Sequence, residues 1–374
     1  MSKQETKKNN KLVKIIFYII IICGLLVSLP FGKQLELAFK LKPNTDGLYE
    51  EKDFQIHFID VGQGDAMAIR FANGETMLVD SGPVKGESNL KSYLNNVFFK
   101  NGDREFDYVL LSHSDADHSG NMAFVLNNYA VKKFYRPYIF NTSEKSSEGL
   151  SLPTSAISLY TEVINILKSK HIETEFFKAG DTINIGTDVT IDFYAPVDLT
   201  VDDTNSFSPI MVLNNNGKSV CLTGDAPIEE EQDALEAYDL PDVDLLKLGH
   251  HGSKGSTSKE FLDKIQPEYV VAQVGKNSYG HPTNEVLNRL ADYDAEYNKS
   301  TYTGFLCNLK NGNIIYHVQA GEDFEVKLIA SMSSFIFMDW FVVVIIVAGA
   351  VTIVFFVPKT KKYSKRRKKK RANN

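Results

Sequence analysis

The apolar and polar positions of the body alternate between short strand-like runs and helix-like segments. Phe54–Asp60, Ala66–Phe71 and Thr76–Asp80 carry the period of strands, broken by the turn-forming sequences "VGQGD" and "NGE". A helical pattern over Asn89–Phe99 precedes the strand "FDYVLLS"; "NMAFVLNNY" then reads as a helix and "VKKFYRP" as a short strand. Residues 141–153 are polar and read as a surface loop, and Ser155–Lys170 returns to helical spacing. The second half repeats the scheme. The strands "TINIG", "VTIDFYA", "IMVLNN" and "SVCLTGD" come first. The helices Ile228–Tyr238, Ser258–Ile265 and Asn284–Ala291 then interleave with "VDLLKLG", "EYVVAQVG" and "GFLCNLK". Two halves that each run several strands and then strand–helix units predict an α/β sandwich, with helices covering two packed sheets.

Two longer apolar runs flank this body. Residues 15–32 follow a basic segment, 1–14, and residues 335–357 precede the polybasic tail 358–374. The second run is uncharged over Trp340–Val357, close to the length of about 20 apolar residues that spans a bilayer. The first lacks a clear small-x-small cleavage site and reads as an uncleaved anchor. Basic flanks on both runs favour a two-pass cell-membrane protein with cytoplasmic ends. The body, 51–330, is then extracytoplasmic, and the tail rests against anionic lipid. Charge sharpens this division. Between Asn44 and Met332 there are 23 basic and 44 acidic residues, a net of −21 that the whole-chain value of −6 conceals. A surface so acidic argues against a general polyanion-binding role. Of three cysteines, Cys23 lies in the first apolar run, and Cys221 and Cys307 fall in expected strands without the spacing of a disulfide framework or zinc knuckle.

Three strand ends carry candidate chemistry. "LLSHSDADHSGN" places His113, Asp115, Asp117 and His118 where an α/β sheet opens its ligand-binding crevice. Imidazole and carboxylate together suit zinc, and the two aspartates extend the range toward manganese. A helix N-cap accounts for one aspartate but not for the full set. "SVCLTGDAPIEEE" ends a strand at Asp225, which could bridge two cations or cap the helix that follows. "VDLLKLGHHGSKGSTS" ends a third strand at His250 and His251, then offers Ser253, Lys254 and Ser256 in a glycine-rich loop suited to an anionic group. His281, before Pro282, suits substrate binding or a packing role equally.

In order, "FIDVGQGDAMAI", "MLVDSG", "LLSHSDADHSGN", "LTGD", "LLKLGHHGSKGSTS" and "VGKNSYGHP" resemble the metallo-β-lactamase-fold hydrolases. The similarity is greatest to the soluble domain of ComEC-type late competence (DNA-uptake) membrane proteins, over about Phe54–His317. The resemblance implies an αββα sandwich and one or two divalent ions, Zn or Mn. His113 and Asp115 would serve one ion and Asp117 and His118 the other. Asp225 would bridge, and His250, directly after Gly249, would complete the second position, with His251 as the alternative. Asp80 would orient a ligand. Members with a full two-metal site have a further histidine before the "GD" aspartate. Here no histidine lies between His171 and His250, and Asn205 or Ser208 occupies that region. With only two candidate spans, the chain is not expected to form a DNA channel.

The resulting expectation is a membrane-anchored, metal-dependent phosphodiesterase or nuclease. Asp117 would orient the attacking water and assist the leaving group, and Lys254 would hold a phosphoryl oxygen, with Ser253, Ser256 and His281 completing substrate contacts. DNA or another phosphodiester is the expected partner. The rivals are a hydrolase of a small anionic cell-surface phosphoester or lactone, and a non-catalytic metal-binding scaffold of a membrane complex.

Overall fold

A computed structural model describes residues 53–329 apart from 101–103, 145 and 302–303. The apolar runs 15–32 and 335–357, with their basic flanks, lie outside the described residues. Among the described residues no helix is long and apolar enough to cross a membrane.

The first half builds a mixed sheet from β1 (Phe54–Phe58), β2 (Met67–Arg70), β3 (Thr76–Val79), β4 (Glu105–Leu110) and β5 (Ala130–Arg136). A small parallel pair, β6 (Ile139–Asn141) and β7 (Leu150–Leu152), follows, and β8 (Glu173–Phe176) closes one edge. The second half builds another sheet from β9 (Thr182–Ile185), β10 (Val189–Ala195), β11 (Ile210–Asn215), β12 (Lys218–Leu222), β13 (Leu245–Lys247), β14 (Tyr269–Ala272) and β15 (Leu306–Cys307). The chain then returns to the first sheet through β16 (Asn313–Val318) and β17 (Glu325–Ile329). The spatial orders are β17-β16-β1-β2-β3-β4-β5-β8 and β15-β14-β13-β12-β11-β10-β9.

All five residues of β1 are buried because both of its faces are covered. Phe54, Ile56 and Phe58 point into the core between the sheets, where they join Ile191, Phe193, Leu213 and Leu245 of the second sheet. On the opposite face His57 meets the ring of Phe98, 5.2 Å away, in the π-helical turn that extends α1 (Glu87–Tyr93). Helices α2 (Ala116–Ser119), α3 (Met122–Asn128) and α4 (Ser158–Lys170) follow, and α3 lies against β5. Helix α4 buries Tyr160, Val163, Ile164 and Leu167, one apolar stripe at the 3, 4 and 7 spacing. Helices α5 (Ile228–Ala237), α6 (Lys259–Ile265) and α7 (Asn284–Tyr297) cover the second sheet through Ala234, Phe261, Leu262, Val286 and Leu290. The layers are therefore helices, sheet, sheet and helices, the αββα sandwich expected from the sequence.

Three local expectations change. The stretch read as a surface loop contains β7, whose register pairs Ile139 with Leu150. The segment read as the strand "GFLCNLK" yields only the two residues of β15 before the helical turn α8 (Asn308–Asn311). Helix α7 continues past Ala291 to Tyr297, because Tyr293 still faces the core and Asn298 provides the left-handed cap. Cys221 and Cys307 are buried free thiols.

Candidate metal centre

The parallel strands β3, β4, β12 and β13 all end at one edge of the sandwich, and the β1–β2 turn reaches the same edge. Asp80 follows β3, His113–His118 follow β4, Asp225 follows β12, and His250 and His251 follow β13. The sequence separates these groups by more than a hundred residues; the topology brings them together. Ligand atoms of Asp65, His118, Asp225 and His251 lie within 4.8 Å of one another, and all four residues are buried.

The two ring nitrogens of each histidine face different neighbours. Nδ1 of His118 lies 2.8 Å from Asp80 Oδ2, and Nδ1 of His251 lies 2.9 Å from the Gln273 carbonyl and 3.1 Å from Asp65 Oδ1. The carbonyl can only accept, so Nδ1 of His251 carries the proton. The Nε2 atoms turn the other way. His118 Nε2 is 3.2 Å from Asp225 Oδ1, and His251 Nε2 is 3.5 Å from Asp225 Oδ2 and 3.2 Å from Asp117 Oδ2. Imidazoles oriented through Nδ1, with Nε2 aimed at carboxylates, have the arrangement of metal-binding histidines.

Polar atoms buried here without a well-aligned hydrogen bond include His113 Nε2, His118 Nε2 and Asp225 Oδ1. Leaving such atoms unsatisfied costs free energy, and a divalent cation satisfies lone pairs of this kind. The donor set, imidazole nitrogen with carboxylate oxygen, fits zinc or manganese. Electrostatics agree. Burial alone would lower the His118 imidazole, but the Asp225 and Asp80 carboxylates outweigh it and hold it well above its ordinary range. Burial likewise opposes protonation of His251, yet Asp225 and Asp65 raise it to about 9. Asp225 goes the other way: burial pushes it up, but His118 and His251 hold it well below the carboxylate range. The raised histidines report a potential that favours positive charge at their rings, and the lowered Asp225 reports its attraction to those same rings.

The backbone holds this geometry under constraint. Asp80, His250 and His251 all adopt left-handed φ, at 58°, 47° and 55°. The two successive left-handed residues separate the adjacent rings, whose planes are 78° apart. His251 is thereby buried in the cluster, whereas His250 is 32% exposed, 3.6 Å from Asp225 Oδ2 and 5.6 Å from the His281 ring. On this geometry His251, the alternative, lies inside the cluster, and His250, the residue favoured from the sequence, lies at its edge.

The remaining candidates fall around this centre. Asp80 is fully buried. Asp117 is partly exposed at the rim, and burial that would raise its carboxyl is outweighed by His251 and His118, which keep it ionised. His113 is fully buried, with Nδ1 facing the hydroxyls of Ser112 (3.0 Å) and Ser208 (3.2 Å). Burial and the neighbouring His118 charge lower its pKa. Asp115 is more exposed; its carboxylate accepts from Thr204 at 2.8 Å and lies 4.0 Å from His113 Nε2. Of Asn205 and Ser208, Ser208 is the one whose hydroxyl faces His113 Nδ1, and the same hydroxyl accepts the Asp225 N–H at 3.0 Å.

Ser253, Lys254 and His281 line an open cleft of about 400 Å³ together with Tyr279, Asn284 and Glu285. Ser256 does not reach it, which corrects its expected substrate contact. Its side chain is buried and donates to the Ala226 carbonyl at 2.8 Å. The N–H groups of Thr257 and Ser258 are likewise taken by Glu231, at 2.5 and 2.8 Å. This half of the loop is therefore braced from within.

Two residues escaped the sequence reading: Asp65, in the "VGQGD" turn, and Lys247, the last residue of β13. Both are fully buried and ion-paired with each other. The available signals were an aspartate inside a glycine-rich turn and a lysine within an otherwise apolar strand.

Known proteins resemble this chain over its body. A family model described as the metallo-beta-lactamase superfamily matches residues 59–276. The chain is 28% identical over 250 residues to ComE operon protein 3 of Bacillus subtilis, covering 63% of this chain and 30% of that protein. It is 27% identical over 260 residues to the competence protein ComA of Neisseria gonorrhoeae, covering 68% and 32%. The chain thus spans about a third of the length of these curated relatives. Among solved structures, the metallo-beta-lactamase fold protein YhfI of Bacillus subtilis aligns with a TM-score of 0.40 at 12% identity, over 68% of this chain and 95% of that one.

Proposed function

The chain belongs to the metallo-beta-lactamase superfamily, and from that premise we propose that it is a metal-dependent hydrolase of phosphodiester bonds. The observation that carries this reading is the convergence of two oriented Nε2 atoms on Asp225, with the Asp117 carboxylate against His251 Nε2, beside an open cleft. His118, His251, Asp117 and Asp225 would hold the principal cation; His113 and Asp115 are the candidates for a second. A divalent ion in that position supplies Lewis acidity, acidifying water and polarising a phosphoryl oxygen.

The protein's own groups supply the rest. Asp117 reaches the rim in its ionised form, where it orients the attacking water, accepts its proton and returns it to the leaving oxygen. Lys254 and Ser253 on the cleft wall contribute a positive charge and a hydroxyl to a non-bridging phosphoryl oxygen. His281 closes the wall nearest His250 and His251.

DNA is the substrate suggested by the competence relatives. The exposed ring of Tyr279 on the cleft offers a stacking surface for a base. The body's net charge of −21 supports a second reading, a small anionic cell-surface phosphoester or lactone, because a polyanion must overcome that field. We place the enzyme at the cell membrane, held by residues 15–32 and 335–357, with the catalytic body on the extracytoplasmic side; the basic flanks of both runs support this orientation.

A substrate panel in Mn²⁺ or Zn²⁺ separates the readings. It compares a single-stranded oligonucleotide, bis-p-nitrophenyl phosphate, phosphocholine esters and lactones, with Asp117→Ala as control. Cleavage of the oligonucleotide and the model diester supports the nuclease. Turnover confined to phosphocholine esters or lactones supports the small-substrate enzyme, and silence throughout leaves a metal-binding scaffold.

A further inference from the structure

Lys247 has no task in the mechanism above, although it sits in the middle of the centre. Its side chain is fully buried. Nζ is ion-paired with Asp65, donates to the Gly224 carbonyl at 2.9 Å and lies 3.9 Å from Asp225 Oδ1. It therefore ties the β1–β2 turn to the loop that carries Asp225. A buried ammonium loses its hydration and is tolerated only where carboxylates compensate it closely. Here it fills the gap between Asp65 and Asp225, two members of the group able to hold a metal ion.

Charge balance points the same way. Asp65, Asp80, Asp117 and Asp225 are the carboxylates in contact with the His118 and His251 rings. If all are ionised they bring four negative charges, and Lys247 returns one. Lys247 thus neutralises one of these carboxylates from within the fold, at the side of the centre where Asp65 and Asp225 face each other. The second position is also poorly furnished. His113 offers Nε2, but Asp115 is engaged by Thr204, and Ser208 presents only a hydroxyl that already accepts the Asp225 N–H.

We infer that Lys247 is a built-in counter-cation, so that the centre takes one divalent ion, on the Nε2 side of His118 and His251. The ammonium holds the Asp65–Asp225 gap in place of a second ion. Asp65 then acts as a positioning residue: it anchors Lys247 and faces Nδ1 of His251 at 3.1 Å, on the side of the ring away from Asp225. This inference rests on the proposed metal centre but not on the phosphodiester chemistry assigned to it.

The test is cation stoichiometry and affinity in the full chain, stripped of metal and titrated with Co²⁺ and Mn²⁺. Native mass spectrometry and calorimetry give the number bound and the affinity, and Co²⁺ visible absorption reports the ligand field. The wild type should bind one ion. Lys247→Met should free Asp65 and Asp225, adding a second Co²⁺ with a new visible band, or tightening the first by at least about tenfold through loss of the nearby positive charge. Asp65→Asn/Lys247→Met removes both charges and should return to one ion; it also serves where the single variant does not fold. Two tightly bound ions in the wild type would overturn the inference. So would a folded Lys247→Met of unchanged count and affinity, or a double variant that takes up two ions. None of these readouts uses turnover, so a protein that binds one ion and cleaves no diester refutes the hydrolase reading alone.

Discussion

The Asp80 carboxylate lies 2.8 Å from Nδ1 of His118, with both side chains shut off from solvent. The same oxygen accepts from the Ser112 hydroxyl at 2.7 Å, and the other carboxylate oxygen accepts the Ser112 N–H at 2.8 Å. The pair holds the imidazole so that Nε2, rather than Nδ1, faces Asp225. Removing such an orienting partner typically weakens metal binding by about 10–100-fold. Asp80→Ala should show a loss of that size in Zn²⁺ competition against a chromophoric chelator. An unchanged affinity would mean that the contact orients nothing.

The adjacent histidines should separate cleanly. His251 is buried against Asp225 and Asp117, whereas His250 is partly exposed beside His281. His251→Ala should remove tight cation binding and hydrolysis together. His250→Ala should retain cation binding within about threefold, well under the tenfold that 1.4 kcal/mol represents, while its effect falls on KM. Calorimetry on both variants, with kinetics beside it, distinguishes the two; equal loss of binding would contradict the assignment.

Gly64 sets the distance between the β1–β2 turn and the metal loop. Its φ is +141°, and a Cβ there would fall against the Asp117 carbonyl and the Pro83 ring. The adjacent Asp65 N–H donates to that same carbonyl at 3.2 Å. Gly64→Ala should therefore destabilise the fold by about 2–3 kcal/mol and displace Asp117. Chemical denaturation measures the first effect and cation affinity the second.

Acid should unfold the body partly through His57, which lies far from the metal loop in sequence. Burial, then the charges of Arg70 and His317, lower its imidazole to about 3. It contacts the Tyr93 hydroxyl at 2.9 Å and Gln55 Oε1 at 3.2 Å. With the folded pKa depressed, its stabilising contribution is present above the unfolded value of about 6.5 and is lost as pH falls toward 3. At pH 5 the loss is about 2 kcal/mol, since one pKa unit is about 1.4 kcal/mol. His57→Leu should flatten the stability–pH curve by that amount between pH 8 and pH 5, measured by urea denaturation at each pH. Parallel curves for the two proteins would refute the prediction.

The sequence made the sandwich legible because strand and helix periods switch sharply and because chemistry clusters at strand ends. His113–His118, Asp225 and the histidine pair could each be seen as short motifs next to apolar runs. What stayed hidden depended on directions that spacing does not carry. Two consecutive left-handed residues decide that His251, not His250, turns inward. Ser256 resembled a substrate donor until the fold closed its hydroxyl on Ala226. Asp65 and Lys247 meet only because β1 and β13 belong to different sheets whose ends converge. The strands β16 and β17 lay beyond the clearest motifs, and β16 completes the first sheet by pairing with β1.

The central claim is tested most directly by hydrolysis of bis-p-nitrophenyl phosphate as a function of added metal. The protein is first stripped of metal, and wild type and His251→Ala are titrated in parallel with Mn²⁺ and Zn²⁺. The account predicts no turnover in the stripped protein, activity that rises and saturates as the buried centre fills, and none in His251→Ala at any metal concentration used. Full turnover by the wild type in excess chelator, or equal activity in His251→Ala, would contradict it.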